Sequence, residues 1–344
     1  MKTTILKTDR NKPEGLEPAA NLLRNGGLVA FPTETVYGLG AVANNETALL
    51  NIFAVKGRPA DNPLILHIYD FGQLNQIVSS ISPLAEKLIK RFWPGPLTLI
   101  FPKKPEVPSV VTANLDTVAV RMPSDPVAKE LLRLTSIPVA APSANLSGKP
   151  SPTLGEHVIN DLSGKIECII DAGPCPAGVE STVLSMTGAD PVVLRPGTVT
   201  REELELVLGQ PVYLAGSGEV ERPQAPGMKY RHYAPEAQVF LFEGDPEQIV
   251  TEINRRLTEK VNGCRIVVMG TTENLTKYHN QWVLDMGPQN RPDIIAGRIY
   301  DLLRFCDQFR ADLVLIEGTA DRGIGAAVIN RLRKAAGGNV INVS

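Results

Sequence analysis

Four basic residues in the first two hundred positions have the type and setting to bind an anionic substrate. Each lies within two residues of a glycine or a proline, in the segments KGRP, VRMP and LRPG; they are Lys56, Arg58, Arg121 and Arg195. Residues at turns and strand edges can line a cleft. The planar guanidinium group matches phosphate or carboxylate oxygens, and a triphosphate needs several such donors with a divalent ion. Any one of them alone could form a surface ion pair, but the set favours an anion-binding cleft.

Two clusters of hydroxyl and amide side chains accompany these basic residues. The segment APSANLSGKPSPT follows the apolar run IPVAA, and GVESTVLSM begins another predicted strand. Taken alone, each cluster resembles a turn whose side chains cap backbone amides. Neither cluster shows the pattern of a serine nucleophile with its histidine and acidic partners, so a serine hydrolase triad is weakly supported. The clusters contain Ser143, Asn145, Ser147, Ser151, Ser181 and Thr182.

Two glycine-rich segments resemble parts of a dinucleotide-binding loop. GLGAVA begins at Gly38 and GIGAAV at Gly323, and each is predicted to lie between a strand and a helix. Neither has an acidic partner at the matching strand end, so both are predicted to be tight turns, although a helix N-terminus can bind an anion. The sequence contains no P-loop and no kinase signature.

Length and composition indicate a globular protein with two domains. The chain has 344 residues, 21% of them charged and 43% hydrophobic, and a prior of roughly 150 residues per domain suggests two cores. The net charge of -2 argues against a dedicated nucleic-acid binder, which usually carries a basic field. A local basic patch remains compatible with that charge.

The cysteines and the N-terminus predict a cytoplasmic protein. No CxxC pair occurs, which disfavours a zinc site or a disulfide framework. The N-terminus has no signal-peptide core, and no window approaches the ~20 apolar residues of a membrane span. We expect reduced, mostly buried thiols at Cys168, Cys175, Cys264 and Cys306.

Hydrophobic periodicity predicts an α/β protein. In the first half, strands and helices interleave without strict βαβ regularity, which suggests a twisted sheet with packed helices. Predicted strands are GLVAFPT, PLILHI, LTLIF, TVAVRMP and IPVAA, and predicted helices are NETALLNIFAVKGR, PLAEKLIKRFW and 125–134. VTREELELVLG carries a capping box formed by Thr200 and Glu203, and Gly209 is predicted to end that helix.

A Pro/Gly-rich segment separates this region from a regular second half. Residues 210–237 have the composition of a linker or crossing loop. From 238 onwards strands and helices alternate, which predicts a smaller Rossmann-like domain with a mostly parallel sheet. The predicted domains are therefore 1–209 and 238–344.

Seven motifs in order resemble the threonylcarbamoyl-AMP synthase family, whose catalytic domain has the YrdC-like fold. They are PTETVYGLG, KGRPADNPL, FWPGPLTLI, VAVRMP, APSANLSGKPSPT, GVESTV and LRPG, between about Phe31 and Gly197. The second half, with APGMKYRHYAP before an α/β region ending in NRLRKAAGG, resembles the C-terminal domain of the long form of that family. The resemblance implies a YrdC-like catalytic domain over 1–209, a linker that crosses the active site, and an additional C-terminal domain.

The resemblance also implies a reaction. L-threonine, bicarbonate and ATP with Mg²⁺ would give threonylcarbamoyl-AMP and pyrophosphate. A separate transferase complex would use that product to make N6-threonylcarbamoyladenosine in tRNA, next to the anticodon. Such a site works by positioning and charge neutralisation more than by covalent catalysis. The implied partners are the small-molecule substrates, the downstream transferase complex and weakly bound tRNA, with no membrane.

The family's site residues can be carried onto matching positions. The K-x-R and S-x-N pairs imply four catalytic residues that hold phosphates and bicarbonate: Lys56, Arg58, Ser143 and Asn145. The residues implied to bind ATP are Arg58, Asn62, Thr117, Ser143, Ser151, Arg195, Tyr230 and Arg231. Those implied to bind threonine are Thr35, His67, Arg121, Ser181 and the backbone near Ala141. No protein ligand for a metal is implied. A histidine at a strand end is often structural, so the role of His67 depends on the resemblance.

The segment MKYRHY would by itself be a solvated basic loop. In the long form of the family the matching loop passes over the active-site opening. We therefore expect Tyr230, Arg231 and His232 to close over ATP and exclude water from an unstable mixed anhydride.

Two other functions stay open at this point. The first domain could be an RNA-binding module without adenylate synthesis, which the net charge and the lack of interleaved aromatic and basic residues disfavour. It could also be a carbamoyltransferase that forms a carbamoyl adenylate, as in hydrogenase maturation proteins with a similar domain. Those proteins start from carbamoyl phosphate and carry zinc-finger and acylphosphatase segments that this sequence lacks.

Overall fold

The computed structural model describes residues 1–216, 233–259 and 263–343. These residues divide into two compact units. The first comprises Met1–Ser147 and the chain from Ser151 to residue 216. The second comprises Gly148–Pro150 and the chain from Tyr233 onwards. Most of the predicted crossing loop, including Tyr230, Arg231 and His232, lies outside the described residues.

The first unit is built from short strands and helices. Its strands are β1 (Thr4–Lys7), β2 (Val29–Phe31), β3 (Gly38–Val42), β4 (Ile65–His67), β5 (Leu97–Pro102), β6 (Thr117–Arg121), β7 (Val139–Ala140), β8 (Cys168–Asp171), β9 (Thr182–Ser185), β10 (Val192–Arg195) and β11 (Tyr213–Leu214). Its helices are α1 (Glu17–Arg24), α2 (Glu46–Lys56), α3 (Phe71–Ile77), α4 (Pro83–Phe92), α5 (Ser109–Thr112), α6 (Pro126–Thr135), α7 (Gly155–Leu162) and α8 (Arg201–Leu208).

These strands form one mixed sheet in the order β1-β8-β2-β3-β7-β4-β6-β5-β9-β10-β11. In its centre β4 pairs in parallel with β6, whereas β5 pairs antiparallel with β6 and parallel with β9. Six of the ten neighbouring pairs join strands that are not consecutive in the chain, so much of the pairing is long-range. This sheet and its packed helices confirm the predicted fold class of the first half.

Helix ends follow the signals in the sequence. The Asn45 side chain accepts a hydrogen bond from the amide of Ala48 at the start of α2, and Gly57 ends that helix in the left-handed conformation at φ 61°. At α8 the predicted capping box between Thr200 and Glu203 is present. These ends fix where the loops that carry the polar motifs begin.

The two faces of the sheet differ in what they carry. Side chains alternate between faces along a strand, and Val118 and Val120 of β6 belong to the main hydrophobic core together with residues of α2 and α4. Thr117, Ala119 and Arg121 therefore lie on the opposite face. There Ala119 belongs to a small apolar cluster with Ile65, Ile100 and Val183. This second face is where polar side chains can meet a ligand.

The prediction of a tight turn at GLGAVA is wrong, because these residues form β3. A Cβ at Gly40 would lie 2.8 Å from Val139 Cγ1 and 2.9 Å from Phe31 Cε1. The glycine is needed because neighbouring side chains pack against its backbone within the sheet. Sequence alone could not separate this use of glycine from a turn.

The linker prediction is also wrong at its beginning. Tyr213 and Leu214 form β11, which pairs in parallel with β10 at the edge of the sheet. Backbone pairing with Val192 and Val193 gives this short segment its extended conformation, which the surrounding prolines and glycines masked in the sequence.

The second unit contains a parallel sheet of five strands. Its strands are β12 (Gln238–Gly244), β13 (Ile266–Gly270), β14 (Val283–Asp285), β15 (Leu313–Glu317) and β16 (Val340–Val343), and its helices are α9 (Pro246–Thr258), α10 (Pro292–Gln308) and α11 (Ile324–Ala336), with a 3-10 helix at Thr272–Lys277. The order is β14-β13-β15-β12-β16, and every pairing is parallel. This confirms the predicted Rossmann-like region. Gly323 precedes α11 with φ 54°, so GIGAAV does contain a tight turn.

All four cysteines are free thiols, and Cys264 is the one that is only partly buried. Within the described residues, no helix combines the length and the apolar character needed to cross a bilayer.

We expect Gly40→Ala to lower the free energy of unfolding of the first unit by about 1–3 kcal/mol, because the new methyl group would overlap Val139 and Phe31. The measurement is urea unfolding followed by circular dichroism. Gly188→Ala is the matched control, since a Cβ there would meet no atom closer than 4.0 Å. Equal stability of the two variants would contradict the packing role of Gly40.

Candidate active site

The second face of the first unit's sheet brings together residues from both predicted substrate sets. Residues directly opposite in paired strands point to the same side, and His67 of β4 lies opposite Arg121 of β6. Thr117, implied to contact ATP, lies on the same face of β6 as Arg121, implied to contact threonine. Ala119 lies between them and belongs to the small apolar cluster on this face of the sheet. A ligand lying along β6 would therefore reach both ends of this row.

Arg121 is the buried basic residue among the side chains implied to bind threonine. The residue is 4% exposed, and its Nη1 donates a hydrogen bond of 2.9 Å to Thr35 Oγ1 while Nε donates to the carbonyl of Gly95 at 3.3 Å. Its Nη2 lies 2.8 Å from a carboxylate oxygen of Glu34, an ion pair, but makes no hydrogen bond of good geometry with a described acceptor. The guanidinium group is therefore held by Thr35, Gly95 and the charge of Glu34, and Nη2 is its least well-aligned nitrogen towards the described acceptors.

His67 is neutral at ordinary pH. Burial lowers the pKa of His67 to about 3, with a further contribution from the positive charge of Arg121. Its Nδ1 lies 3.2 Å from the carbonyl oxygen of Ile65, and the ring meets Phe31 edge to face. A neutral imidazole can donate one hydrogen bond and accept another without adding charge to the site.

Ser181 and Arg195 form one hydrogen-bonded corner of the site. The guanidinium group donates to the Ser181 carbonyl at 3.0 and 3.1 Å and to its Oγ at 3.1 Å. Ser181 Oγ also lies 2.8 Å from Thr98 Oγ1. A Cβ at Gly197 would lie 2.3 Å from the amide of Thr182, so the backbone after Arg195 passes directly over this corner.

Asn62 is the clearest sign of a ligand on the nucleotide side. The residue is fully buried, yet neither its amide nitrogen nor its amide oxygen has a hydrogen-bond partner among the described residues. Arg58 Nη2 donates to the carbonyls of Asn62 and Pro63 at 3.2 Å. Buried amides are normally paired, so an amide group without a partner among the described residues makes Asn62 unusual.

Lys56 holds the two halves of the implied catalytic set together. It ends α2 and is buried, and its Nζ donates hydrogen bonds to the carbonyls of Ser143 and Asn145. The Ser143 hydroxyl donates to Asn145 Oδ1 at 2.5 Å. The ammonium group thus fixes the loop that presents both polar side chains.

The remaining implied residues are placed as follows. Ser151 is buried and its hydroxyl donates a hydrogen bond to the carboxylate of Glu180. The amide of Ala141 donates to the Ile65 carbonyl at 3.0 Å. Tyr230 and Arg231 lie outside the described residues. Lys56, Arg121 and Arg195 are buried, so the alternative of surface ion pairs is wrong for these three.

Glu34 was missed by sequence reasoning. It lies in the motif PTETVYGLG, and its only signal was an acidic residue next to an implied threonine contact. Burial alone would raise the pKa of Glu34, but the charge and hydrogen bonding of Arg121 outweigh burial and hold the pKa below its ordinary value. The site therefore contains a carboxylate as well as basic groups.

Across the described parts of the chain, no group of three or more His, Cys, Asp or Glu side chains is placed to hold an ion.

Comparison with known proteins identifies the family of both halves of the chain. Residues 21–197 match the Sua5, YciO and YrdC family model described as "Telomere recombination". Residues 199–337 match the model described as "Threonylcarbamoyl-AMP synthase, C-terminal domain". Two proteins named threonylcarbamoyl-AMP synthase are each 49% identical to this chain. The one from Bacillus subtilis aligns over 96% of this chain and 95% of its own length, and the one from Pyrococcus abyssi over 94% and 95%.

A solved structure agrees over the full length. The crystal structure of Pyrococcus abyssi Sua5 complexed with L-threonine is 46% identical, with a TM-score of 0.94, and the match covers 99% of this chain and 100% of that one. Fold and site together define a two-unit α/β enzyme of the nucleotidyltransferase type. The chain belongs to the threonylcarbamoyl-AMP synthase family, in the form with the additional C-terminal domain. The resemblance found in the sequence is thereby confirmed.

The neutral buried His67 predicts a pH dependence of stability. An unfolded histidine binds a proton near pH 6.5, whereas the folded pKa is about 3. The unfolded state therefore holds more protons in this window, and stability falls as the pH drops from about 6.5 towards 3, by up to about 1.4 kcal/mol per pH unit. We expect His67→Gln to lose this part of the slope in urea unfolding measured between pH 7 and pH 4. Parallel curves for the variant and the wild type would contradict the prediction.

Proposed function

We propose that this enzyme makes threonylcarbamoyl-AMP and pyrophosphate from L-threonine, bicarbonate and ATP. The observation that carries the proposal is the single face of β6 that presents Thr117 at one end and Arg121 at the other. A nucleotide and an amino acid bound at the two ends would meet over the small apolar floor. The names of the relatives, and the threonine bound to one of them, support this choice.

The chemistry requires two steps that this site can assist. The ammonium group of threonine first loses a proton, and the resulting amine joins the carbon of bicarbonate; a water leaves and a carbamate remains. A carbamate oxygen then attacks the α-phosphorus of ATP, and the bond to pyrophosphate breaks. Both steps bring anions together, so orientation and positive charge supply most of the catalysis.

On the nucleotide side, the proposal gives Arg58 and Asn62 contacts to ATP. Arg58 donates a hydrogen bond to the backbone carbonyl of Asn62. The side-chain amide of Asn62 has no hydrogen-bond partner among the described residues. Lys56 would act mainly by fixing the loop of Ser143 and Asn145, whose polar groups would meet phosphate and bicarbonate. Thr117, Ser151 and Arg195 complete the proposed ATP set, and Mg²⁺ would come with the phosphates.

On the amino-acid side, Arg121 would bind the threonine carboxylate through Nη2, which has no well-aligned hydrogen-bond acceptor among the described residues. Neutral His67 and the hydroxyl of Thr35 would meet the polar side chain of threonine. Ser181 and the backbone at Ala141 would complete that pocket. The buried position of these groups makes their hydrogen bonds strong and selective.

The wider role follows from the unstable product. A mixed anhydride must be consumed soon after it forms, so we propose a tRNA-modifying transferase as the next enzyme, acting next to the anticodon, with at most weak tRNA binding by this chain. A cytoplasmic location fits that role. Closure of the loop with Tyr230, Arg231 and His232 over ATP stays a prediction, and a Gly/Ser replacement there should lower product yield more than ATP binding.

The decisive test is pyrophosphate release from MgATP with and without threonine and bicarbonate. We expect release that requires both, and at least a hundredfold loss in Arg58→Ala, because an arginine at the phosphates is lost. Arg133→Ala is the matched control, since Arg133 is exposed and pairs with Glu130. Release indifferent to threonine would refute the proposal.

The same assay separates the alternatives. Pyrophosphate release that occurs with carbamoyl phosphate in place of bicarbonate and threonine would support the carbamoyltransferase. Steeply salt-dependent tRNA binding without any adenylate would support the RNA-binding module.

Asn62→Ala should separate a binding role from a structural one. Removing an amide that the protein leaves unpaired should cost the fold little, whereas loss of its contacts should weaken ATP binding about tenfold or more. Calorimetric titration with a non-hydrolysable ATP analogue and a thermal unfolding curve give the two numbers. A large drop in stability with unchanged nucleotide affinity would show that Asn62 is structural.

A further inference from the structure

Glu34 has a carboxylate oxygen that accepts no hydrogen bond from the described residues. Its Oε1 lies 2.8 Å from Arg121 Nη2 and accepts a hydrogen bond from the amide of Ser124 at 3.2 Å. Its Oε2 is buried and has no hydrogen-bond partner among the described residues. The side chain is 12% exposed, so bulk water cannot solvate this oxygen freely.

An ionised carboxylate in this position needs a donor. The charge of Arg121 outweighs burial and keeps the pKa of Glu34 below its ordinary value, so the group is an anion at neutral pH. A buried charged acceptor without a partner is costly. A ligand group that donates a hydrogen bond to Oε2, next to Arg121, would remove this cost.

We propose that Glu34 binds the α-ammonium group of the amino-acid substrate through Oε2. The inference rests on the proposed function, in which Arg121 binds the carboxylate of the same molecule. A carboxylate and a guanidinium group side by side match the two charges of a zwitterion. Glu34 thereby selects a free α-amino group and orients the nitrogen that must later react with bicarbonate.

Other nearby carboxylates are already engaged. Asp125 pairs with Arg10 and caps α6 through the amides of Val127 and Ala128. Glu180 accepts the hydroxyl of Ser151. Glu34 is the acidic side chain that both touches Arg121 and keeps a buried oxygen open.

The test compares two ligands that differ only at the α position. L-threonine and its α-hydroxy analogue, 2,3-dihydroxybutyrate of the same configuration, are titrated by calorimetry without ATP into the wild type and Glu34→Gln. We expect the wild type to prefer threonine, and the variant to bind threonine at least tenfold more weakly while its affinity for the hydroxy acid stays the same or rises. The variant should therefore lose the preference for the amine that the wild type shows.

Three results would overturn the proposal. Equal losses for both ligands would mean that Glu34 only positions Arg121, and unchanged affinities would mean that it plays no part in binding. If the wild type binds no threonine, the proposed function itself fails. Glu130→Gln is the exposed control, and thermal unfolding reports whether each variant is folded.

A second variant keeps the test valid if Glu34→Gln does not fold. Glu34→Asp retains the charge beside Arg121 but withdraws the oxygen by one methylene group. We expect a smaller loss that again affects threonine and spares the hydroxy acid. A loss shared by both ligands would refute direct contact here as well.

Discussion

The active site depends on keeping one guanidinium group, that of Arg121, charged and fixed inside a sheet. A buried cation is tolerated only when charge and hydrogen bonds compensate for lost water. Glu34 supplies the charge, and Thr35 and the Gly95 carbonyl supply the acceptors. The same charge helps to keep His67 neutral. One residue thus sets the electrostatic character of the whole threonine end.

The mixed sheet is what makes this arrangement possible. Parallel pairing of β4 with β6 places His67 opposite Arg121, and antiparallel pairing of β5 with β6 places the polar start of β5 near the same end. The main core on the other face packs against helices and holds the register. A slip of one residue in β6 would turn Arg121 into that core, so register and function are selected together.

Local signals in the sequence predicted much of this, and long-range ones did not. The ends of α2 at Asn45 and Gly57, and the start of α8 at the Thr200–Glu203 capping box, follow from local sequence, because capping depends on neighbouring residues. The pairing of β1 with β8 and the strand at Gly40 depend on distant partners that no local pattern reveals. Glu34 escaped for the same reason, since its importance comes from Arg121, which is distant in sequence.

Two glutamates differ in how completely the described residues pair their carboxylate oxygens. In the second unit, Glu317 accepts hydrogen bonds from the amide and hydroxyl of Thr271, from Asn274 and from the Tyr278 hydroxyl, at 2.7 to 2.8 Å. Every one of those bonds is internal, so that carboxylate fastens the segment after β13 to the end of β15. Asn62 is as fully buried as Glu317 and Glu34 is partly buried, and both keep polar side-chain atoms without a hydrogen-bond partner among the described residues. Because buried polar atoms are rarely left unpaired in a fold, these atoms are the observations that support the proposed substrate contacts of Glu34 and Asn62.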